Sequence, residues 1–457
     1  MHLLKLVDNK IKKGKNIMKK LLILGMSSMF AFSAAAQTLE ERVEALEYAG
    51  YENYTKVGGR LEYRFDSYTR EIKDDYTVVN TNTNSGEARS TGKQAAGYQR
   101  VFLNLNISSI PSDKLSFYGK LSMAKYVNHF NTDGGTSPED SAFNDLSRGI
   151  SASSSSLFVE RAFANYAFSK NLTLTFGRLP TSHGAPRQFS SNEAKKGNYP
   201  VLSFGGNWDG MALSYGLESG HAFKLVYTPV SSVPFNGQML DGLSDSSGDK
   251  VDVNSPAYAL IYEFDKANFA GSRNFYFTAT YFTVKDMPTL PSSTGSNLYL
   301  SLDRTSFYSE FSGIKGSNFD VYLHGVSTVT KSKGGLTGVG GWLTSSTDSD
   351  TKNGTAMGFG AKYSLNSKIK LGLEYFTGSE DAFLYDSANQ DAASIYTTYG
   401  NAQHLFYSHS FEGGLDIVLG HIIRNSDTTR KAFNLIGASS DIDNIETNTY
   451  AKFISKF

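Results

Sequence analysis

Residues 56–67 read Lys-Val-Gly-Gly-Arg-Leu-Glu-Tyr-Arg-Phe-Asp-Ser. Successive side chains of a strand point to opposite faces, so Val57, Leu61, Tyr63 and Phe65 fall on one side and Arg60, Glu62, Arg64 and Asp66 on the other. One face suits hydrocarbon and the other suits water. A half-buried strand of a soluble antiparallel sheet alternates in the same way, so the decision rests on whether the pattern repeats around the chain.

Alternating segments recur near 56–67, 97–108, 115–129, 157–168, 172–179, 208–217, 222–229, 257–265, 274–285, 304–311, 319–330, 355–363, 369–377, 404–411, 414–424 and 446–457. The connectors between these sixteen segments alternate strictly in length. Seven are short, such as Ser169–Asn171 and Glu412–Gly413, and eight are long, such as 68–96 and 180–207. Short turns at one end and long loops at the other fit an even-stranded outer-membrane barrel. A soluble sandwich or propeller has no reason to sort its loops this way. The expected fold class is therefore all-β, a transmembrane antiparallel β-barrel of about sixteen strands.

Lipid-facing rows follow from the same parity: Val101, Leu103, Leu105 and Ile107; Leu115, Phe117, Leu121 and Met123; Met357, Phe359, Ala361 and Tyr363. Polar residues such as Asn104, Ser122 and Lys362 stand between them. In hydrocarbon an open sheet edge would leave backbone donors and acceptors unpaired, so such a sheet has to close on itself.

Composition agrees with this reading. The chain has 27 Tyr and 31 Phe against 2 Trp, with 43 Gly and 10 Pro, which is a β composition with aromatics enough for girdles at both membrane interfaces. No later stretch approaches the ~18 apolar residues of a transmembrane helix. The absence of cysteine rules out a disulfide framework and a lipid-bearing cysteine anchor.

The amino terminus has to be set aside first. Met18-Lys19-Lys20, an apolar run from Leu21 to Phe32 and Ala34-Ala35-Ala36 read as a secretory signal peptide over residues 1–36. Residues 1–17 are long and lysine-rich for its first part, which points to Met18 as the start. Removing seven Lys and one Asp turns 44 basic and 44 acidic residues into 37 and 43, a net charge of −6. That balance argues against a nucleic-acid partner. Residues 37–55 carry Leu39, Val43 and Leu46 on one helical stripe. The expectation is a short periplasmic helix resting against the barrel mouth, the alternative a coiled-coil seam between protomers. Residues 56–457 form the barrel.

Catalytic signatures are missing: there is no Gly-x-Ser-x-Gly, no His-Glu-x-x-His and no phosphate loop. His404, His409 and Ser410 are the one grouping with a hydrolase flavour, and nothing in their spacing supplies an orienting third group. Acidic residues recur at Asp245, Asp249 and Asp252, at Asp348 and Asp350, and at Asp441, Asp443 and Glu446. Asp348-x-Asp350 departs from a calcium loop because Lys352 stands at the next ligand position. They read as solvated loop tips, with no metal and no cofactor expected.

The segment Gly177-Arg178-Leu179-Pro180, with Gly184-Ala185-Pro186 and Trp208-Asp209-Gly210, resembles a group of largely uncharacterised putative porins. The general-porin resemblance covers the whole mature chain through its architecture. The last strand, ending in Phe457 with Phe453 and Ala451 on the same face, resembles the carboxy-terminal signal read by the barrel assembly machinery, although Ser455 and Ile454 depart from it.

The porin resemblance implies a passive channel for small hydrophilic solutes, a homotrimer, and an outer membrane with its lipid and lipopolysaccharide as the setting. It also implies that the third long loop folds inward to narrow the pore. Here that loop carries His183, Arg187, Glu193, Lys195 and Lys196. Facing it, Arg60, Arg64, Arg100, Lys120 and Arg161 form a basic wall with Glu62 and Asp66, and weak anion preference follows. Lys224, Lys362 and Lys370 against Glu263, Glu310, Asp320, Glu374 and Asp416 give later strands the reverse balance. Two alternatives stand beside this reading: a solute-selective channel, with Tyr98, Phe102, Tyr118, Tyr126 and Phe163 as an aromatic track, and an adhesin that displays its long loops.

Overall fold

A computed structural model describes residues 55–74, 76–80, 85–127, 157–191, 199–231, 254–288, 299–333, 351–384, 394–429 and 440–457. The expected signal peptide and amino-terminal helix lie outside the described residues. Strands β1 (Thr55–Ile72), β4 (Gly92–Ser112), β5 (Leu115–Tyr126), β6 (Phe158–Ala167), β7 (Leu172–Arg178) and β8 (Asp209–Gly216) begin the barrel. They continue as β9 (His221–Ser231), β10 (Asn254–Phe269), β11 (Ser272–Pro288), β12 (Tyr299–Ile314) and β13 (Phe319–Lys333). The last are β14 (Thr351–Ser364), β15 (Ile369–Gly378), β16 (Gly400–Ser410), β17 (Leu415–Thr429) and β18 (Ser440–Lys456).

Every neighbour pairs antiparallel, and β1 closes the ring by pairing with both β4 and β18. Phe65 lies opposite Gln99 on one side and Ala451 on the other. The sixteen barrel strands stand where the alternation placed them, but several run further at the long-loop end, β10 starting at Asn254 and β12 at Tyr299. Pairing can continue beyond the lipid, where nothing imposes an apolar outer row. The first long loop also holds a hairpin, β2 (Tyr76–Asn80) with β3 (Ser85–Arg89), that alternation did not reveal.

The outer face carries the apolar belt, with Val57, Leu260 and Leu405 among its most exposed side chains. Rings cluster where the short turns begin, at Phe168, Phe269, Phe319 and Phe411, and again higher up at Tyr227, Tyr258 and Tyr281. On β10, Tyr258 and Phe269 are eleven residues apart. That is ~36 Å of strand at ~3.3 Å per residue, which a tilt of ~45° reduces to ~25 Å, the height of an outer-membrane apolar band. The β10–β11 turn is a two-residue link in which Ala270 and Gly271 both have positive φ, 50° and 72°, the form that matches the twist of paired strands.

Two features depart from the expected polar lumen. Along β8 to β12 the inner face carries an apolar cluster: Ala212, Val226, Ala259, Ile261, Phe282 and Leu302 are all buried. In β6 a bulge breaks the parity, because Lys120 pairs with Arg161 while Leu121 pairs with Val159, leaving Glu160 as the extra residue. Val159 stays outside, whereas Glu160 turns inward and is 2% exposed.

Candidate functional site: a cleft between two inward loops and the charged wall

The third long loop starts at Leu179 and immediately turns into the barrel. Its two limbs are stitched together: Leu179 N donates to Trp208 O at 2.8 Å, and Val201 N to Ala185 O at 2.8 Å. Trp208 N donates to Thr181 Oγ1 at 3.2 Å. At Gly184 the limbs come so close that a Cβ would stand 1.6 Å from Tyr199 O, so only glycine fits. Between the limbs the loop forms the short helices α1 (Arg187–Ser191) and α2 (Val201–Phe204).

Helix α1 reaches the far wall. Gln188 Nε2 donates to Tyr308 Oη at 3.2 Å and to Glu310 Oε2 at 3.1 Å. The Phe189 ring, 1% exposed, meets Tyr322 edge-on at 4.8 Å and Phe406 at 6.4 Å, with Lys362 Nζ 4.2 Å from its centroid. From α2, Ser203 Oγ contacts Ser306 Oγ at 2.6 Å, while Leu179 and Tyr199 lie on the apolar inner wall. The loop therefore crosses from β7 to β12, β13 and β16, as the porin resemblance implied.

Glu160 fixes the root of this loop. Its carboxylate accepts from Lys120 Nζ and Ser182 Oγ, each at 2.8 Å, and stands 3.4 Å from His183 Nε2. Arg161 Nη2 donates to Ser182 O at 2.9 Å, so Arg161 holds the loop rather than walling the pore. Parity reading missed Glu160 because the bulge lies next to it.

A second loop enters the barrel from between β15 and β16. Ala382, Phe383 and Leu384 are buried, as are Ile395, Tyr396 and Tyr399 around a short 3-10 turn, Ile395–Thr397. Phe383 N donates to Thr328 Oγ1 at 3.0 Å, and Arg304 Nη2 donates to Phe383 O. Tyr396 Oη donates to Glu374 Oε1 at 2.9 Å. Glu374, fully buried, also accepts from Tyr322 Oη at 2.8 Å and contacts His404 Nδ1 at 2.6 Å, while His404 Nε2 contacts Tyr450 Oη at 2.8 Å.

Glycines on the inner face leave room for these rings. A Cβ at Gly358 would stand 2.2 Å from His324, at Gly360 2.2 Å from Tyr322, at Gly372 2.0 Å from Phe406 and at Gly420 2.2 Å from Tyr450. Each ring lies over the glycine of an adjacent strand, which thins the wall there.

The two loops leave a cleft against β1, β4, β5 and β16 to β18. Arg60, Glu62, Asn104 and Lys120 line it from one side, Tyr450, Lys452, His404 and Ile422 from another. His183, Arg187, Gln188 and Ser190 of the third loop and Ile395 and Tyr396 of the second complete it. The sequence placed Arg60, Glu62 and Lys120 on the pore wall and His183 and Arg187 on the constriction loop, and the fold brings these five to one cleft. Lys452, Tyr450 and Tyr396 were not foreseen. Glu193, Lys195 and Lys196 lie outside the described residues.

Other expected wall residues turn out to be structural. Asp66 is gripped by Arg64 at 2.8 Å and Arg100 at 2.7 Å and accepts from Asn448 Nδ2 at 2.9 Å. All three charged side chains are 4% exposed or less. They brace β1, β4 and β18 instead of facing the cleft. Glu446 is no loop tip, since it sits on the inner face, 2% exposed, between Arg70 and Arg424. Asp443 pairs with Lys73 at 3.1 Å, and the other acidic residues of those tips have no described side chain. Among the described residues no cluster of three His, Asp or Glu is arranged to hold a metal.

Of the expected aromatic track, Tyr118 and Phe163 stack at 5.4 Å, and Phe102 lies beneath Arg100, but none of them lines the cleft. The Tyr126 side chain lies outside the described residues. Lys224 and Glu263 neutralise each other at 2.8 Å, as do Lys456 and Asp416 at 2.6 Å. His404 and Ser410 are separated by six residues of one strand, roughly 20 Å, and do not meet.

A family model described as a protein of unknown function, DUF3373, matches residues 98–230, from β4 through the inward loop into β9. No curated protein matches the chain. Among solved structures the chain is similar to OmpF of Salmonella typhi in complex with daunomycin, at 12% identity over 89% of this chain and 98% of that one, TM-score 0.47. It is also similar to the anion-selective porin of Comamonas acidovorans, at 10% identity over 88% and 100%, TM-score 0.45. A mutant of the Rh. blastica porin matches at 11% identity over 88% and 100%, TM-score 0.40. That this chain is a closed sixteen-stranded barrel is established by its own strand register.

Proposed function

We propose that this protein is an outer-membrane porin, a passive channel for small hydrophilic solutes with weak preference for anions. The observation that carries this reading is the charged cleft between the inward loops and the inner wall, in a barrel whose outside is apolar. Four cationic side chains, Arg60, Lys120, Arg187 and Lys452, line the cleft against one carboxylate, Glu62. Glu160 lies behind Lys120 and offsets part of its charge, which is why the preference is weak.

Cations stand on both the loop side and the wall side, so the cleft has a potential of one sign instead of a field across it. Such a potential raises the local concentration of anions and falls with ionic strength. The same reading takes the protein as a homotrimer in a lipopolysaccharide-bearing membrane, inserted by machinery that reads the face of Phe453 and Phe457. Reconstitution in a planar bilayer under a potassium chloride gradient tests it. Stepwise currents with a reversal potential on the chloride side are expected; cation selectivity would overturn the anion preference, and a folded barrel without steps would overturn the channel.

A further inference from the structure

The cleft sets cationic side chains beside apolar ones in a way that passive passage of inorganic ions does not require. Arg60 of β1, Lys120 of β5, Lys452 of β18 and Arg187 of the third loop line it, the Arg187 guanidinium 5.7 Å from the Tyr396 ring centroid and Lys452 Nζ 4.6 Å from that of Tyr450. Ile395 and Tyr396 of the second loop, Ile422 of β17 and Tyr450 of β18 supply apolar surface to the same small space. These apolar groups are held, not loose. Tyr396 is fastened to Glu374 through its hydroxyl, and Tyr450 is fixed by His404 at its hydroxyl and by the Arg64 guanidinium 4.4 Å from its ring centroid.

Resting on the channel reading above, we propose that the cleft is a saturable subsite for a small organic anion, a carboxylate joined to an apolar or aromatic body. The carboxylate is drawn to Arg187, Arg60 and Lys120, where a guanidinium can meet it with two parallel hydrogen bonds. The body lies against Tyr396, Ile395 and Ile422, displacing water from surface that an inorganic anion would leave wet. Glu62, ion-paired with Arg60 in the same cleft, disfavours a second negative charge.

The test uses single channels of the full mature protein with chloride as the carrier and three probes: benzoate, acetate and benzyl alcohol. Benzoate is expected to block the chloride current with a saturable concentration dependence, while acetate and benzyl alcohol at equal concentration do not. Arg187→Gln and Ile422→Ala are each expected to raise the half-blocking benzoate concentration about five- to tenfold. Tyr396→Phe, which keeps the ring, is expected to retain the block. Channels that open in normal steps but respond alike to benzoate and acetate overturn the subsite and leave the channel reading standing. Absence of steps overturns the channel reading and the subsite with it.

Discussion

The inner wall has two halves that follow different rules. Along β1, β4 and β5 the inward row is charged and polar, Arg60, Glu62, Arg64, Asp66, Arg100, Asn104 and Lys120, and the outward row is apolar. Along β8 to β12 the outward row is apolar and the inward row carries an apolar cluster, Ala212, Val226, Ala257, Ala259, Ile261, Phe282, Val284 and Leu302, beside inward polar groups such as Arg304 and Ser306; in β10 the run Ala257-Tyr258-Ala259-Leu260-Ile261-Tyr262 has no charged member. A strand that is apolar on both faces is buried on both faces. Lipid covers the outside of this half, and the inward loops cover the inside.

Energetics explain which half the loops choose. Burying a large apolar side chain is worth about 1.5–3 kcal/mol, and Leu179, Tyr199 and Phe383 all find such burial against the dry half. Leaning instead on the charged half would require stripping water from ions at a cost of several kcal/mol each. Leu179, Tyr199 and Phe383 settle on the apolar cluster, and the cleft lies along the charged wall.

The sharpest way to break this contrast is to place a charge beneath the loop. Ile261→Lys buries an unpaired ammonium, and we expect either a loss of several kcal/mol in urea unfolding or a displaced loop with severalfold larger single-channel conductance. Lys452→Gln, at a half-buried position lining the cleft, should leave the unfolding midpoint almost unchanged. A midpoint equally low in both would erase the distinction.

Next in size is Asp66→Ala. It leaves Arg64 and Arg100 facing each other without their carboxylate, and about 3–5 kcal/mol should be lost, read as a lower melting temperature by circular dichroism in detergent. Phe189→Ala removes the ring that docks the third loop between Tyr322 and Phe406. Up to about 3–5 kcal/mol of local packing goes with it, and larger, noisier current steps are the expected readout. Unchanged conductance would mean that the loop is held by its limbs alone.

The smallest effect is expected at the exposed turn pair, Lys170 with Glu218 at 2.6 Å. The hydrogen bond from Lys170 lowers the pKa of Glu218. The contribution of that carboxylate is therefore present above its unfolded pKa and is lost as pH falls through the folded one. Solvent screens the pair, so Glu218→Gln should leave melting and conductance at neutral pH unaltered.

Much of this was legible in the sequence, for identifiable reasons. Lipid on one side and water on the other impose period two, so β1, β4, β14 and β15 could be read directly from residues such as Leu61 to Asp66. The third loop was legible through its position and through Pro180, Gly184 and Pro186. Glu160 was hidden, because one extra residue in β6 exchanges inside for outside from that point. The second inward loop was hidden by the habit of reading connectors as solvated. Its signal was Ala382-Phe383-Leu384 and Ile395-Tyr396, apolar residues that a solvated loop has no use for. Ala257, Ala259 and Ile261, apolar residues on the inward row of a segment that otherwise reads as alternating, carried the same signal.

The contrast between the two halves can be tested directly because the chain has no cysteine. Single Lys452→Cys, at a half-buried position lining the cleft, and Ala259→Cys variants would be reconstituted in a bilayer and treated with a small charged thiol reagent while current is recorded. We predict rapid, irreversible current reduction for Lys452→Cys and no reaction for Ala259→Cys. Modification of Ala259→Cys as fast as Lys452→Cys would contradict the account, since water would then reach the wall that the loops are said to cover.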